Sequence, residues 1–567
     1  MRRPLLALAS LLVVLARPAL AQSVRGEIVL PDSTTRAVGV IVVVTDGGGA
    51  VVSRTLAGDR GEFDVTLPRA GRYALRVLRI GYRPTLVPPF DVATAEQKAL
   101  RVVLGGDVVS LAQVTVRGES VCRIREDSGQ LVARLWEEAR KAITATQLSA
   151  AAARLNTTWF RYDRVMDSTA RIVRKQDVAV SSARTSRPFI SEPPESLARF
   201  GYVVDRGGDA VYLAPDAEAL LSDSFAATHC FRVEPPTPEH LASIGVGFRP
   251  AKDRDGIRDI EGTFWLDRAT AELRLLEFRY TNMTPAHTAA GAGGRVDFLR
   301  LPTGHWLVSR WHIRMPAIAV RPAVALRGNI RSEASYVATA IHFAGGEVTE
   351  VRRDGVLLHS GGGATFIAQV VSRDSTIAAA GTIVDFNGTG YAAIADTAGR
   401  VRIEHVLPGR YTVRFSAAPV RRAGAAPAER TIDVREGSRA APDTLELPAS
   451  DAILSSACGE AMAKAKGALL YGTVRGSQRE PVPGATVTVK WIARVDAAPG
   501  SLTVSDQSRV VATDDLGRWR LCGVPRDRAL DVRAVLEGRA SGEIRTRIPA
   551  SRAIHEVELS LPAAERP

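Results

Sequence analysis

Residues 58–77 read GDRGEFDVTLPRAGRYALRV, and two later stretches repeat the grammar: DTAGRVRIEHVLPGRYTVRF over 396–415 and TDDLGRWRLCGVPRDRALDV over 513–532. In each, an Asp and a Gly two or three positions apart (Asp59 and Gly61, Asp396 and Gly399, Asp514 and Gly517) spell a tight turn. There the Asp takes backbone amides and the Gly adopts positive φ. The strand that follows alternates, so that Phe63 and Val65, Val401 and Ile403, and Trp519 and Leu521 each face one way. Pro68, Pro408 and Pro525 then break the strand, and the next one opens at Tyr73 or Tyr411 in the first two copies.

Working outward, each copy is preceded by a similar opening: VRGEIVLPDSTTRAVGVIVVV from Val24, FIAQVVSRDSTIAAAGTIVDF from Phe366 and LLYGTVRGSQREPVPGATVTV from Leu469. Each closes on a short alternating strand, ALRVVLGG, DTLELP or HEVELSLP. Short strands with regular turn signals predict an antiparallel β-sandwich for each copy. The third copy carries the hairpin Pro481-Val482-Pro483-Gly484-Ala485-Thr486-Val487, and the second the run Pro408-Gly409-Arg410-Tyr411. On these motifs the repeats resemble the carboxypeptidase regulatory-like domain family. Two departures stand out: Arg69-Ala70 is inserted after Pro68, and Arg528-Ala529-Leu530 replaces the G-x-Y step. The resemblance implies prealbumin-like or immunoglobulin-like sandwiches of the carbohydrate-binding-like group, accessory modules of secreted enzymes or outer-membrane receptors. The segment LAQVTVRGE over 111–119 is similar to the link after this domain in such receptors, but the remaining chain is too short for a plug and a large barrel.

The copies are unequally spaced, so another domain is expected between the first and second. There, REDSGQLVARLWEEARKAITATQLSAAAARL predicts a long helix capped at Asp127 or Ser128, with Leu131, Leu135, Ala139, Ala142 and Ile143 on one face. Strand hairpins follow it, which predicts an α+β domain with the helix packed on a curved antiparallel sheet. The layout loosely resembles periplasmic carriers of lipids and lipoproteins. The expected fold class is therefore mainly β and multidomain, three sandwiches plus that α+β domain. The expected order is a signal peptide over 1–21, sandwiches over 22–118, 364–450 and 456–567, and the middle domain over 119–355.

The N-terminus has Arg2 and Arg3, an apolar stretch from Leu5 to Leu15, and Ala19-Leu20-Ala21 before Gln22. That is the layout of a secretory leader cleaved after Ala21. The formal net charge of +13 falls to +10 without Arg2, Arg3 and Arg17. An exported basic chain meets envelope surfaces and not nucleic acid, and its basic residues are spread along the chain. No later apolar run is long and uncharged enough to span a membrane. The four cysteines, in an oxidising compartment and without C-x-x-C spacing, read as two disulfides, Cys122 with Cys230 and Cys458 with Cys522, each inside one domain.

Chemistry is sparse. Ser222, Ser224 and His229 lie close in sequence but lack a G-x-S-x-G elbow, and they read as ordinary content of one short helix begun at Pro215-Asp216. No histidine starts an H-E-x-x-H, so no catalytic residue, metal or cofactor is expected. In the strand from Trp306, alternation puts Arg310, His312 and Arg314 on one face with Trp306 and Val308, a stripe able to hold an anionic group. The expected function is a non-catalytic binding or scaffolding protein of the cell envelope, in the periplasm or at the outer surface. Its expected partners are a glycan bound by the sandwiches, a peptide, an outer-membrane protein or anionic lipid. Periplasmic carriage of lipid or lipoprotein by the middle domain and an unrecognised hydrolase are the alternatives.

Overall fold

In the computed structural model the described residues are 22–109, 111, 122, 131–151, 155–183, 188–207, 209–322, 335–375, 377–436, 442–498 and 501–563. The leader and the helix cap at Asp127 or Ser128 lie outside them. Two compact units are present: Met1–Asp163 with Val178–Gly362, and Arg164–Asp177 with Gly363–Pro567.

In unit 1, the first copy forms β1 (Ser23–Val29), β2 (Ile41–Asp46), β3 (Val51–Leu56), β4 (Glu62–Thr66), β5 (Gly71–Leu78), β6 (Thr85–Val92) and β7 (Gln97–Val103). They build two sheets ordered β4-β1-β7 and β3-β2-β5-β6, with β1 antiparallel to β4 and parallel to β7. Phe63, Val65, Tyr73, Leu75 and Val77 fill the space between the sheets. Gly61 takes φ +72° at the turn, as expected. Asp59, however, falls one position past the capping site: Gly58 occupies that site, and the Glu62 carboxylate accepts the Arg60 amide instead at 2.9 Å.

Next come α1 (Leu131–Ala151), β8 (Leu155–Asp167), β9 (Val173–Ala183), α2 (Pro194–Phe200), the hairpin β10 (Val203–Arg206) and β11 (Asp209–Tyr212), α3 (Ala217–Leu221) and α4 (Asp223–Thr228). The segment expected as one helix is two, because Ser222 turns extended at ψ 149° and its hydroxyl accepts the Phe225 amide to start α4. The chain then makes β12 (His229–Glu234), β13 (Ser243–Pro250), β14 (Ile260–Asp267), β15 (Leu273–Tyr280), α5 (Pro285–Ala289), β16 (Gly293–Arg300), β17 (Trp306–Arg321), β18 (Ser335–Arg353) and β19 (Val356–Ser360). Strands β12 to β18 run as an antiparallel meander continued by β8 and β9, and β19 pairs back on β18, making a 10-stranded sheet.

Helix α1 is buried on more than one side. Leu135, Ala139, Ala142 and Ile143, the expected face, join Phe231, Phe264 and Trp306 in one core. That core also takes in Ile41, Val43 and Leu78 of the sandwich. The unbroken apolar run of β2 now has its reason: Val42 and Val44 fill the sandwich while Ile41 and Val43 enter the core shared with α1. A strand covered on both faces reads as continuous apolar sequence. Each such side chain contributes about 1.5–3 kcal/mol by leaving water.

In unit 2, the second copy forms β20 (Ala364–Val371), β21 (Ile383–Phe386), β22 (Ala392–Ile394), β23 (Arg400–Val406), β24 (Gly409–Ser416), α6 (Ala418–Arg422), β25 (Ala428–Val434) and β26 (Asp443–Glu446). After α7 (Ser450–Cys458) and α8 (Glu460–Lys464), the third forms β27 (Ala468–Arg475), β28 (Thr486–Ala498), β29 (Ser501–Ala512), β30 (Arg518–Val524), β31 (Ala529–Leu536), β32 (Arg539–Ala540), β33 (Ile544–Arg547), β34 (Ile554–Glu556) and β35 (Leu559–Ser560). Their sheets, β23-β20-β26 with β22-β21-β24-β25, and β30-β27-β34 with β29-β28-β31-β32, repeat the order of the first copy, the third adding β35 beside β27 and β33 beside β31. The chain is thus mainly β and multidomain. Asp396 and Asp514 cap their turns as expected, each accepting two amides at 2.8–3.0 Å beside Gly399 and Gly517 at φ +78° and +70°.

Candidate functional site

Two concave spaces of unit 1 lie along α1. On one side, strands β2, β3 and β5 of the sandwich, α1 and α2 to α4 enclose an open cleft of about 630 Å³. The sandwich and α1 bring Arg54, Arg76 and Arg140 to it, and α2, α3 and α4 bring Glu195, Glu218 and Asp223. Arg76 pairs with Glu137 at 3.5 Å. On the other side, between α1, α3 and strands β16 and β17, lies a narrow cavity of about 50 Å³ lined chiefly by Ile143, Phe189, Leu220, Val296, Phe298 and Val308. Gln147 and Glu218 line both spaces. On the scale where one water needs about 10–15 Å³, the cavity admits the tip of a single alkyl chain. Asp216 shapes its mouth by accepting the Ala219 amide at 2.9 Å and the Ser191 amide at 3.1 Å.

Sequence reasoning missed what fixes this arrangement. Lys141, on a flank of α1 away from the expected face, donates to the carbonyls of Arg79 at 3.1 Å and Tyr82 at 2.8 Å and to Glu138 at 2.6 Å. Glu138 accepts the Gly81 amide at 2.8 Å. The sandwich loop is thereby tied to the helix. The only trace in sequence is a Glu and a Lys three apart, which usually marks a solvated helix face.

Ser222 and His229 line one small space, whereas Ser224 lines the open cleft. The Ser222 hydroxyl donates to Ala219 O at 2.7 Å while capping α4. Buried His229 has its Nδ1 3.1 Å from both Phe225 O and the Thr228 hydroxyl, and its Nε2 3.2 Å from Ile260 O and 3.5 Å from Asp259. Burial pushes the Asp259 carboxyl up, but His229, Arg254 and the Ile260 amide outweigh it and hold it below the ordinary value. Ser222, His229 and Asp259 line a space of only about 10 Å³, room for about one water.

Arg310, His312 and Arg314 share a face of β17, but not with Trp306 and Val308. A register shift at Asp297/Phe298 pairs Val308 with Phe298 and Arg310 with Asp297, leaving Ser309 as the extra residue. Val308 before the shift, and Trp311, Ile313 and Met315 after it, all pack on the core beside α1. A bulge re-aims every side chain beyond it. Arg310 pairs with Asp297 at 3.1 Å, and Arg314 donates to Ala290 O at 2.9 Å. Burial pulls His312 down to about 4, with Arg310, Arg295 and Arg314 pulling the same way against Asp297. At neutral pH the stripe therefore holds a neutral imidazole between two engaged cations.

Cys122 stands at disulfide distance from Cys230 in unit 1, and Cys458 from Cys522 in unit 2. Among the described residues no three His, Cys, Asp or Glu side chains converge as a metal site, and no helix is long and apolar enough to cross a membrane.

No protein-family model matches the chain, and no curated protein does. Among solved structures it is similar to BcpA, the major pilin subunit of Bacillus cereus, with 8% identity over 96% of this chain and 99% of that one, TM-score 0.14. It is similar also to shaft pilin SpaA of Lactobacillus rhamnosus GG, with 9% identity over 36% of this chain and 98% of that one, TM-score 0.14. Chlorocatechol 1,2-dioxygenase from Pseudomonas putida matches 17% of this chain at 12% identity, TM-score 0.14, and the chain spans 61% of that enzyme's length. At such scores no argument about activity or partner rests on these likenesses. The sandwich fold rests on the repeated sheet order.

Proposed function

We propose that this chain is a non-catalytic binding protein of the cell envelope, built of three regulatory-like sandwiches and an α+β domain. Its ligand, in this reading, is a single-chain amphiphile held in unit 1. The observation that carries the proposal is that a charged cleft of about 630 Å³ and an apolar cavity of about 50 Å³ lie next to each other, with Gln147 and Glu218 lining both. A polar end lies among the cleft's arginines and carboxylates, and the chain end enters beneath α1. The leader-like N-terminus and the two cysteine pairs support export. The glycan alternative would need aromatic platforms on the sandwiches, and among the described residues the exposed aromatics Phe200 and Tyr336 belong to the other part of unit 1. The test is organic extraction and mass spectrometry of protein purified without detergent, with displacement of a fluorescent fatty acid. Co-extracted lipid, and displacement abolished by Ala150→Phe at the cavity wall, is the expected result. Protein free of lipid that binds no probe overturns the reading.

A further inference from the structure

A further pocket of unit 1, about 240 Å³, lies where the loop after β5 meets the β14–β15 turn and the β16–β17 connection. Its walls are fixed. Lys141 and Glu138 hold the loop's Arg79, Gly81 and Tyr82 backbone, and the Trp306 amide donates to the Ser149 hydroxyl at 2.9 Å. Gly81, at φ +78°, lets the walls close: a Cβ there would lie 2.9 Å from Thr270 O.

Two residues of this lining each carry a buried donor without an acceptor, Arg79 at Nη1 and Trp306 at Nε1. Arg79 lies over the Tyr82 ring, 4.7 Å from its centroid, a contact that leaves Nη1 without an acceptor. The second cation of the lining is Arg300, and the pocket's one carboxylate, Glu272, is already engaged by Arg300 at 3.1 Å and Arg274 at 3.5 Å. Burial pulls the Arg79 guanidinium down and Arg300 adds to it, with Tyr82 acting the other way. A buried donor without an acceptor carries its desolvation cost unreturned, which calls for a ligand that accepts from it.

We propose that this pocket binds a phosphate-type oxyanion, which accepts from Arg79 and Trp306 and is balanced by Arg300. The fork of an arginine matches such a group, and the indole adds a neutral donor of fixed direction.

The test is calorimetric titration of the full chain with inorganic phosphate at constant ionic strength set by chloride, alongside glycerol 3-phosphate and phosphatidylcholine vesicles doped with phosphatidic acid. Saturable phosphate binding is expected, weakened about tenfold or more by Arg79→Gln and several-fold by Trp306→Phe. The second variant keeps the ring's bulk, so it reads the donor alone should the first fold poorly. Binding of the soluble phosphates alone assigns a small-molecule ligand; vesicle binding lost in the same variants assigns a lipid headgroup. No heat from any probe, or affinities that both folded variants leave unchanged, overturns the proposal.

Discussion

Lys141 donates to Glu138 at 2.6 Å, one turn back along α1, and both side chains are almost fully buried, 1% and 3% exposed. The pair ties a sandwich loop to a helix whose opposite face packs on a sheet. Removing one partner strands the other's charge. Lys141→Met is therefore expected to cost about 3–5 kcal/mol, and the double change Glu138→Gln with Lys141→Met distinctly less. Urea unfolding of the three proteins measures both, and equal losses would show that the charges are not coupled.

Acid should act in two steps. His312, held down to about 4 by burial and its arginines, resists protonation in the fold. Its contribution is complete above the unfolded value near 6.5 and is lost as pH falls from there to about 4, at most about 3 kcal/mol. Asp259, held below its ordinary value, contributes above that value and is lost as pH falls through the lower folded one. Unfolding free energies from pH 7 to 3 should show the upper step vanish in His312→Gln and the lower one in Asp259→Asn.

The tyrosine after the repeated proline has a mechanical role. Tyr73 donates to Arg69 O and Tyr411 to Leu407 O, each at 2.7 Å and each four residues back, closing the corner before the next strand. In unit 2, Arg164 also donates to Tyr411's hydroxyl at 3.1 Å and to Pro408 O at 3.0 Å. Tyr73→Phe should cost about 1 kcal/mol, and Tyr411→Phe more, because its loss also takes one of two acceptors from the buried Arg164 guanidinium. Thermal melts of the two variants give the comparison.

Cys458 ends α7 and Cys522 lies in β30, so their bond fastens a helix to the third sandwich. Closing that loop should stabilise unit 2 by roughly 4 kcal/mol in the chain-entropy account. Melts with and without reductant, and peptide mapping without reduction, check the size and the partners. Recovery of Cys458 linked to Cys122 would defeat the pairing.

Legibility followed range. Turns at Gly61, Gly399 and Gly517, the alternation of Phe63 with Val65 and Trp519 with Leu521, and the face of α1 carrying Leu135, Ala139, Ala142 and Ile143 could be read because each depends on residues within a few positions. The same local logic erred by one residue at Asp59, where Gly58 holds the capping place. It failed on β17, where one inserted residue, Ser309, exchanges the faces of everything after it. A bulge is a property of two strands paired, and neither strand's sequence shows it alone.

What this sequence determined by itself is the three-fold repeat of turn, alternating strand, proline and strand, and hence one sandwich pattern used three times, because backbone preferences and alternation act over a few residues. Tertiary structure alone decided what the outer face of β2 is for, why α1 buries a Lys and a Glu, and that Arg79 and Trp306 line one pocket with unspent donors. Those facts arise where segments distant in the chain meet. Burial there makes an unmatched charge or N–H costly, and only the packed fold says which groups are matched.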